Sequence, residues 1–369
     1  MGKFRVFGTF SALLIIGSIV SIAVRGFNFG LDFAGGYEIQ VKLPKAVNED
    51  EINSVISPLG ITDARVQQLG NQDGLEYLIL VRQQGTLGEK EKDALKNEFE
   101  TLAGGINKIA NWTIAESGEV ISVGFDQPII EDQVQALLSK HNLKVLKITA
   151  GERADKSEYT IELASIGQQI TEVLNKKMNV DAGNVSIEFV GPQVGEQLRN
   201  QGIMAVAISL LFLMLYIAIR FDFYFSPGAI IAILHDVTIV LGVFSFFQID
   251  FTLSTVAGIL TLIGYSLNDT VVVYDRIREN IARLRGRELR FLVSSSISET
   301  LSRTMLTGLT TMFVVISLFI WGGRALMDFS ACLLVGIIIG TYSSIAIAAP
   351  SYVLLREQYD RRVKTKASA

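Results

Sequence analysis

The stretch that decides the fold is "TLIGYSLNDTVVVYDRIREN", residues 261–280. It opens as lipid-compatible apolar sequence, carries Asn268 and Asp269 side by side, and turns strongly charged from Asp275. A helix rises about 1.5 Å per residue, so a hydrocarbon core of about 30 Å takes about 20 residues. Residues 251–274 meet that length. Asp269 is therefore a carboxylate set inside a membrane span, about five residues from its charged end.

Five further stretches reach spanning length, at approximately 5–24, 202–219, 226–247, 304–321 and 328–354. The 369 residues are 49% hydrophobic, and mean hydropathy is +0.39 because the apolar residues crowd into these segments. Residues 25–200 read as an ordinary water-exposed domain. The class is a polytopic α-helical membrane protein with six transmembrane helices and one large domain outside the bilayer. A net charge of −4 leaves no basic surface for nucleic acid. The single cysteine, Cys332, has no intrachain partner for a disulfide.

Lys3 and Arg5 precede the first apolar run, as in a secretory signal. That run exceeds the about 7–15 residues of a signal core and meets no small-residue cleavage site before Arg25. It is expected to remain as an anchor. Short loops place Arg220, Arg276, Arg278, Arg283, Arg285, Arg287, Arg290 and Arg303 on the N-terminal side of the membrane, followed by the basic tail 356–369. Counting Lys3, Arg5 and the tail, fifteen basic residues face Arg324 alone on the other side. The positive-inside rule then puts both ends in the cytoplasm. The expected plan is a cytoplasmic N-terminus and first helix over 1–24, an outer α+β domain over 25–200, five helices over 201–355 and the tail.

Within the outer domain, "YEIQVKL", "NEDEINSVISPLG" and "LEYLILVR" alternate as strand, helix and strand, and "GEKEKDALKNEFETLAGG" reads as a further helix. "EVISVGF", "IIEDQVQALLSKHNL", "KVLKITAG" and "EYTIELAS" repeat the pattern, followed by "IGQQITEVLNKKM" and "NVSIEFVG". Two successive βαβ-type lobes are expected, of split-βαβ or ferredoxin-like kind. No catalytic constellation stands out there. His141 reads as a solvated helix-end residue, and no G-x-x-x-x-G-K-[ST] occurs anywhere. A binding or mechanical module is the reading, with no cofactor and no metal.

An ionisable group in mid-membrane costs about 2.5–3.5 kcal/mol on insertion scales, so it faces a partner or a water-filled path. Asp269 with Asn268 in the fourth span, His235 with Asp236 in the third, and Arg303 at the start of the fifth are the candidates. Each has a plainer reading. Arg303 reads equally as a snorkelling surface residue, and His235 reads first as a packing residue. Asp275, Arg276 and Arg278 mark the interface. Asp269 has nothing in its own loop to neutralise it, which favours a functional role. Gly336 and Gly340 form a G-x-x-x-G that permits close helix contact. Gly258 and Gly264 bracket the run before Asp269; packing is their default reading, and relaxing that helix is the alternative.

These residues carry a resemblance. "FNFGLDFAGGYEI" (27–39), "FVGPQVGEQL" (189–198), "LHDV" (234–237), "GYSLNDTVVVYDRIREN" (264–280) and "ETLSRT" (299–304) are similar, in order, to motifs of the SecF family. Its members work with SecD beside the bacterial Sec protein-export channel. The resemblance implies half of a resistance-nodulation-division (RND) type unit in the bacterial inner membrane, with SecD supplying the other half. Implied partners are SecD, the SecYEG-type channel, an unfolded preprotein and further membrane accessory subunits. It implies proton passage at Asp269 and Arg303, with His235, Asp236 and Asn268 beside them, driven by the proton motive force. It also implies a hinge or motif role for Asp32, Gly35, Gly36, Gly191, Pro192 and Gly195. An exporter of small molecules or lipids and a passive scaffold of the Sec channel stay open as alternatives. One departure is the length of the outer domain, whose extra material is expected around 105–165 as a second lobe contacting SecD or substrate.

Overall fold

The computed structural model describes the chain except residues 1–3, 62–63, 70–74, 83–85, 106–107, 142, 152–156, 221–224 and 368–369, and except the side chains of 4, 5, 89, 182 and 360–367. Lys3 and the side chains of Arg5, Arg361, Arg362, Lys364 and Lys366, counted above for orientation, lie outside the described residues. The chain divides into two compact units, residues 31–197 and residues 1–30 with 198–369.

In chain order the elements are α1 (Phe4–Arg25), β1 (Asn28–Phe29), α2 (Leu31–Ala34), β2 (Gly36–Lys42), α3 (Glu49–Ile56), β3 (Ala64–Gln68) and β4 (Glu76–Val81). Next come α4 (Glu89–Leu102), β5 (Ile109–Ile114), β6 (Val120–Phe125), α5 (Glu131–Lys140), β7 (Val145–Gly151) and β8 (Ser157–Leu163). Then follow α6 (Ile166–Met178), β9 (Val185–Val190), α7 (Pro192–Arg220), α8 (Ser226–Phe247), β10 (Asp250–Phe251) and α9 (Leu253–Arg283). The chain closes with α10 (Leu289–Trp321), α11 (Arg324–Ser343), a π-helical turn Ser344–Ala348 and α12 (Ala349–Ala367).

Among the described residues, six helices are long and apolar enough to cross a membrane: α1, α7, α8, α9, α10, and the run from α11 through the π turn to Tyr359. The protein is a multi-pass membrane protein. The fourth and fifth helices run past their expected ends into charged sequence. Arg276, Arg278 and Glu279 are good helix formers in water and no Gly or Pro intervenes, so nothing stops the helix at the edge of the apolar segment. α9 starts where Thr252 caps it, its hydroxyl accepting from the Thr255 amide at 3.3 Å.

Small residues set the packing of α9 on α11. A methyl group added at Gly258 would meet Cys332 Cβ at 2.9 Å, one at Gly336 would meet Leu262 at 2.5 Å, and one at Gly340 would meet Ser266 Cβ at 3.1 Å. These contacts step four residues at a time on both helices in the same direction, so α9 and α11 run parallel in close register. The G-x-x-x-G is thus an α9 contact. Gly258 packs against Cys332, as the packing reading has it, whereas Gly264 has nothing within 4 Å among the described residues; α9 continues unbroken through both, without the alternative relaxation.

In residues 31–197, β2 alternates buried Tyr37, Ile39 and Val41 with outward Glu38, Gln40 and Lys42, the period of a half-buried strand. Its sheet is antiparallel in the order β3-β4-β2-β9, closed by Ile52 and Ile56 of α3 and Ile170 and Leu174 of α6. A second antiparallel sheet, β5-β6-β8-β7, packs Phe125 and Ile161 against Phe99 of α4 and Val134 and Leu138 of α5. The lobes are interleaved, not successive. α6 and β9, expected with the second lobe, complete the first, because Ile187 pairs with Ile39 in mid-sheet. The second lobe also begins earlier than 105, since Leu95 and Phe99 of α4 belong to its core. It is an insertion between β4 and α6.

The β5–β6 turn joins the lobes. Tyr37 Oη donates to Glu119 Oε1 at 2.6 Å, the Gln193 amide donates to Glu116 Oε1 at 2.5 Å, and the Thr86 amide donates to Ser117 O at 2.9 Å. Burial, and then the Glu119 carboxylate, push the Tyr37 phenol above its ordinary range.

Candidate functional site

On α8, Ala229, Ala232, Ile233, Asp236 and Val240 are buried at helical spacing, so Asp236 belongs to the inward stripe. On α9 the stripe runs through Ile259, Leu262, Ile263, Ser266, Asp269 and Val273. Asp236 is 1% exposed and Asp269 is 3% exposed. Ser266 and Asp269 lie one turn apart on one face, a rise of about 4.5 Å. Asn268 falls off that stripe and is exposed, so the Asn-Asp pair of the sequence is divided between two faces.

Asp236 is fully engaged. Its Oδ2 accepts the Ser266 hydroxyl at 2.5 Å and the Ser343 hydroxyl at 2.7 Å, and its Oδ1 lies 2.9 Å from His235 Nδ1. The other ring nitrogen, His235 Nε2, is buried with no hydrogen-bond partner among the described residues. The His235 ring lies 6.2 Å from that of Tyr342, whose hydroxyl meets Ser11 of α1 at 2.9 Å and Phe7 O at 3.0 Å. Side chains of α8, α9 and α11 thus converge on one carboxylate, with α1 at their margin.

Asp269 is different. Its Oδ2 is buried without a hydrogen-bond partner among the described residues, as are Tyr265 Oη, Thr270 Oγ1 and, on α10, Thr304 Oγ1. Arg303 is close enough for its charge to act on Asp269, yet no ion pair within 4.0 Å joins the two. The Arg303 side chain is exposed on α10. Glu299, one turn earlier, does not hold it. Glu299 instead accepts Arg276 Nε at 2.5 Å, Arg283 Nη2 at 3.2 Å and Asn280 Nδ2 at 3.2 Å. One carboxylate is saturated by neutral and imidazole donors. The other keeps an open oxygen in an apolar bundle, with a loosely placed cation nearby.

Sequence reasoning missed Ser266, Ser343 and Thr304. Ser266 stood three residues before Asp269 and Ser343 three after Gly340, but hydroxyls are common in membrane helices and mark no site alone.

The motif residues at the ends of the outer unit come together. Gly35 has φ +72° and Gly36 φ +124°, a region open to glycine. A methyl on Gly36 would lie 2.2 Å from Val81 O, one on Gly35 3.2 Å from Pro192 Cα, and one on Gly195 3.2 Å from Phe33 O. Gly191 would meet the Glu116 carboxylate at 2.7 Å. The incoming and outgoing chains therefore cross backbone to backbone, with Pro192 as the first residue of α7 and Asp32 in the single turn of α2.

The family described as protein export membrane protein SecD/SecF, C-terminal, matches residues 170–358, and the SecD/SecF GG motif matches residues 20–47. The protein translocase subunit SecF of Koribacter versatilis is 36% identical over 97% of this chain and 91% of its own length. The chain belongs to the SecF family. The SecF of Rickettsia rickettsii is 33% identical over 96% of the chain and 91% of its own length, and that of Vibrio alginolyticus 34% identical over 92% and 84%. Among solved structures, SecDF of Thermus thermophilus, described as a translocon-associated membrane protein, superposes with TM-score 0.65 at 28% identity over 97% of this SecF-family chain. The chain spans 38% of that SecDF's length.

Proposed function

We propose that this SecF-family chain works with a SecD-type partner as an accessory subunit of the Sec channel. In this reading it uses the proton motive force, without nucleotide hydrolysis, to promote late steps of preprotein translocation. The carrying observation is Asp269, a buried carboxylate with one oxygen unpartnered inside the spans and Arg303 within electrostatic reach. A proton satisfies that oxygen, and movement of the Arg303 charge alters how well the site holds it. Each elementary charge crossing the membrane supplies about 2.3 kcal/mol per 100 mV, enough to bias a two-state movement of an outer domain.

Asp236, held by Ser266, Ser343 and His235, ties α8, α9 and α11 into the rigid side of the site. α10 carries Arg303 and also exposes Met305, Leu306, Leu309 and Phe313, which suits cover by partner helices. The orientation is cytoplasmic ends and a periplasmic unit over 31–197, in the inner membrane. The two strand orders, β3-β4-β2-β9 and β5-β6-β8-β7, fit a ferredoxin-like lobe and a circular permutant of it. The backbone crossing at Gly35 and Gly195, with Gly36 tight against Val81 and Gly191 against Glu116, suits a hinge at the base of this unit, and the second lobe leans on it through Glu116.

The test is preprotein translocation into membrane vesicles holding the chain and its SecD partner, with the proton or the sodium gradient collapsed by a selective ionophore. Loss on proton collapse alone is expected. Loss on sodium collapse alone replaces the coupling ion, and indifference to both returns the chain to a scaffold.

A further inference from the structure

At the end of the membrane helices away from Arg324, a cavity of about 410 Å³ opens between α8, α9, α10 and α12. Four arginines line it: Arg278, Arg285, Arg287 and Arg356. Among the described residues, no acidic side chain lines it. Its inner wall is apolar, formed by Leu292 and by Phe225 and Tyr352, whose rings stack at 4.0 Å and 6°. Among neighbouring acids, Glu357 takes Arg290 at 2.7 Å and 2.9 Å and Glu299 takes Arg276 and Arg283, while Glu288 is exposed in the turn beside Arg287. Arg278, Arg285 and Arg287 are exposed and form no ion pair within 4.0 Å among the described residues, Arg287 lying over the Phe291 ring at 5.8 Å.

Simple positive-inside bias puts arginines at helix ends, but scattered on the surface and not gathered around an apolar recess. Guanidinium forks match the paired oxygens of a phosphodiester. An aromatic and aliphatic floor matches the glycerol backbone and first methylenes behind it. Basic pockets between membrane helices at headgroup level have this combination, and each arginine near the surface adds about tenfold or less in affinity for anionic lipid. We propose that this cavity is a binding site for the phosphate headgroup of an anionic phospholipid, seated between the charged α9–α10 turn and α12. The site lies at the root of the turn that joins α9, which carries Asp269, to α10, which carries Arg303. A bound lipid there ties the position of these two helices to the composition of the leaflet.

The experiment uses the purified full chain in lipid nanodiscs, with tightly held lipid counted by native mass spectrometry in phosphatidylglycerol and in phosphatidylcholine. The wild type retains phosphatidylglycerol selectively. The combined Arg278→Gln, Arg285→Gln and Arg287→Gln variant binds it on the order of a hundredfold more weakly. Arg290→Gln, which removes the same kind of charge outside the cavity, leaves retention unchanged. Ile281→Trp fills the cavity with every arginine kept, and it too loses the lipid. Equal retention of the two lipids, or unchanged retention in the triple variant, overturns the proposal. So does unchanged retention in Ile281→Trp, which reduces the effect to surface charge. Displacement by inorganic phosphate at matched ionic strength assigns the site to free phosphate and overturns the lipid.

Discussion

Replacing Gly242 by alanine presses α8 against α1 at a point with no room. A methyl group there would lie 2.2 Å from Ser18 Cβ and 2.6 Å from Ser18 Cα. The second contact is to backbone, so no rotamer change relieves it. Carbon atoms rest at about 3.5–4.0 Å, which requires α1 to withdraw by about 1–1.5 Å. The Ser21–Ser245 contact of 3.1 Å and the Ser11–Tyr342 contact of 2.9 Å then pass beyond hydrogen-bonding range. Overpacking costs about 1–3 kcal/mol, and hydroxyl pairs between membrane helices add about 0.6 kcal/mol each. The expected loss of α1–α8 association is about 2–4 kcal/mol. The assay is oxidative cross-linking of a Ser21→Cys, Ser245→Cys pair in the full chain; Cys332 is buried and stays out of the reaction. Gly264→Ala serves as the control, because nothing lies within 4 Å of it. Cross-linking should drop at least tenfold with Gly242→Ala and stay unchanged with Gly264→Ala. Equal yields in both variants refute the packing argument.

Gly36→Ala forces a side chain at φ +124° into Val81 O and should destabilise the outer unit by at least about 2 kcal/mol, read as a lower thermal midpoint. Asn268→Ala removes an exposed amide off the buried stripe and should leave the melting of the isolated chain within about 0.5 kcal/mol of wild type. Hydrogen bonds from Lys144 and then Lys176 hold the Glu172 carboxyl down from 4.5 to about 2. Its folded value is depressed, so its contribution is full above pH 4.5 and fades as pH falls toward 2. Both groups are exposed, so the effect is small. Denaturation followed by Trp112 fluorescence should show wild type and Glu172→Gln converging across that window.

The spans were legible because lipid demands about 20 apolar residues whatever the tertiary structure. Asp269 was legible because a carboxylate there has no plain explanation. The glycine crossing at Gly35, Gly36 and Gly195 was legible as a motif, but its reason, two backbones touching, needed the fold. Asn268 lies off the Asp269 face because neighbours on a helix are turned about 100° apart, which adjacency in sequence hides. The role of Ser266 and Ser343 depends on a pairing across α8, α9 and α11 that no local pattern encodes. Interleaving of the lobes was hidden in the same way. β9 carries strand propensity anywhere, and only its pairing with β2 says which sheet it completes.

The central claim is that Asp269 works as an ion site. The most direct measurement is gradient-dependent translocation of a preprotein in vesicles holding the chain and its SecD partner, wild type against Asp269→Asn, with co-purification of the partner as the check on assembly. Asparagine keeps the size of the side chain and removes its titration. The account predicts that the gradient-dependent step disappears while the partner still co-purifies. Unchanged translocation by the assembled variant contradicts it and makes the carboxylate a structural group.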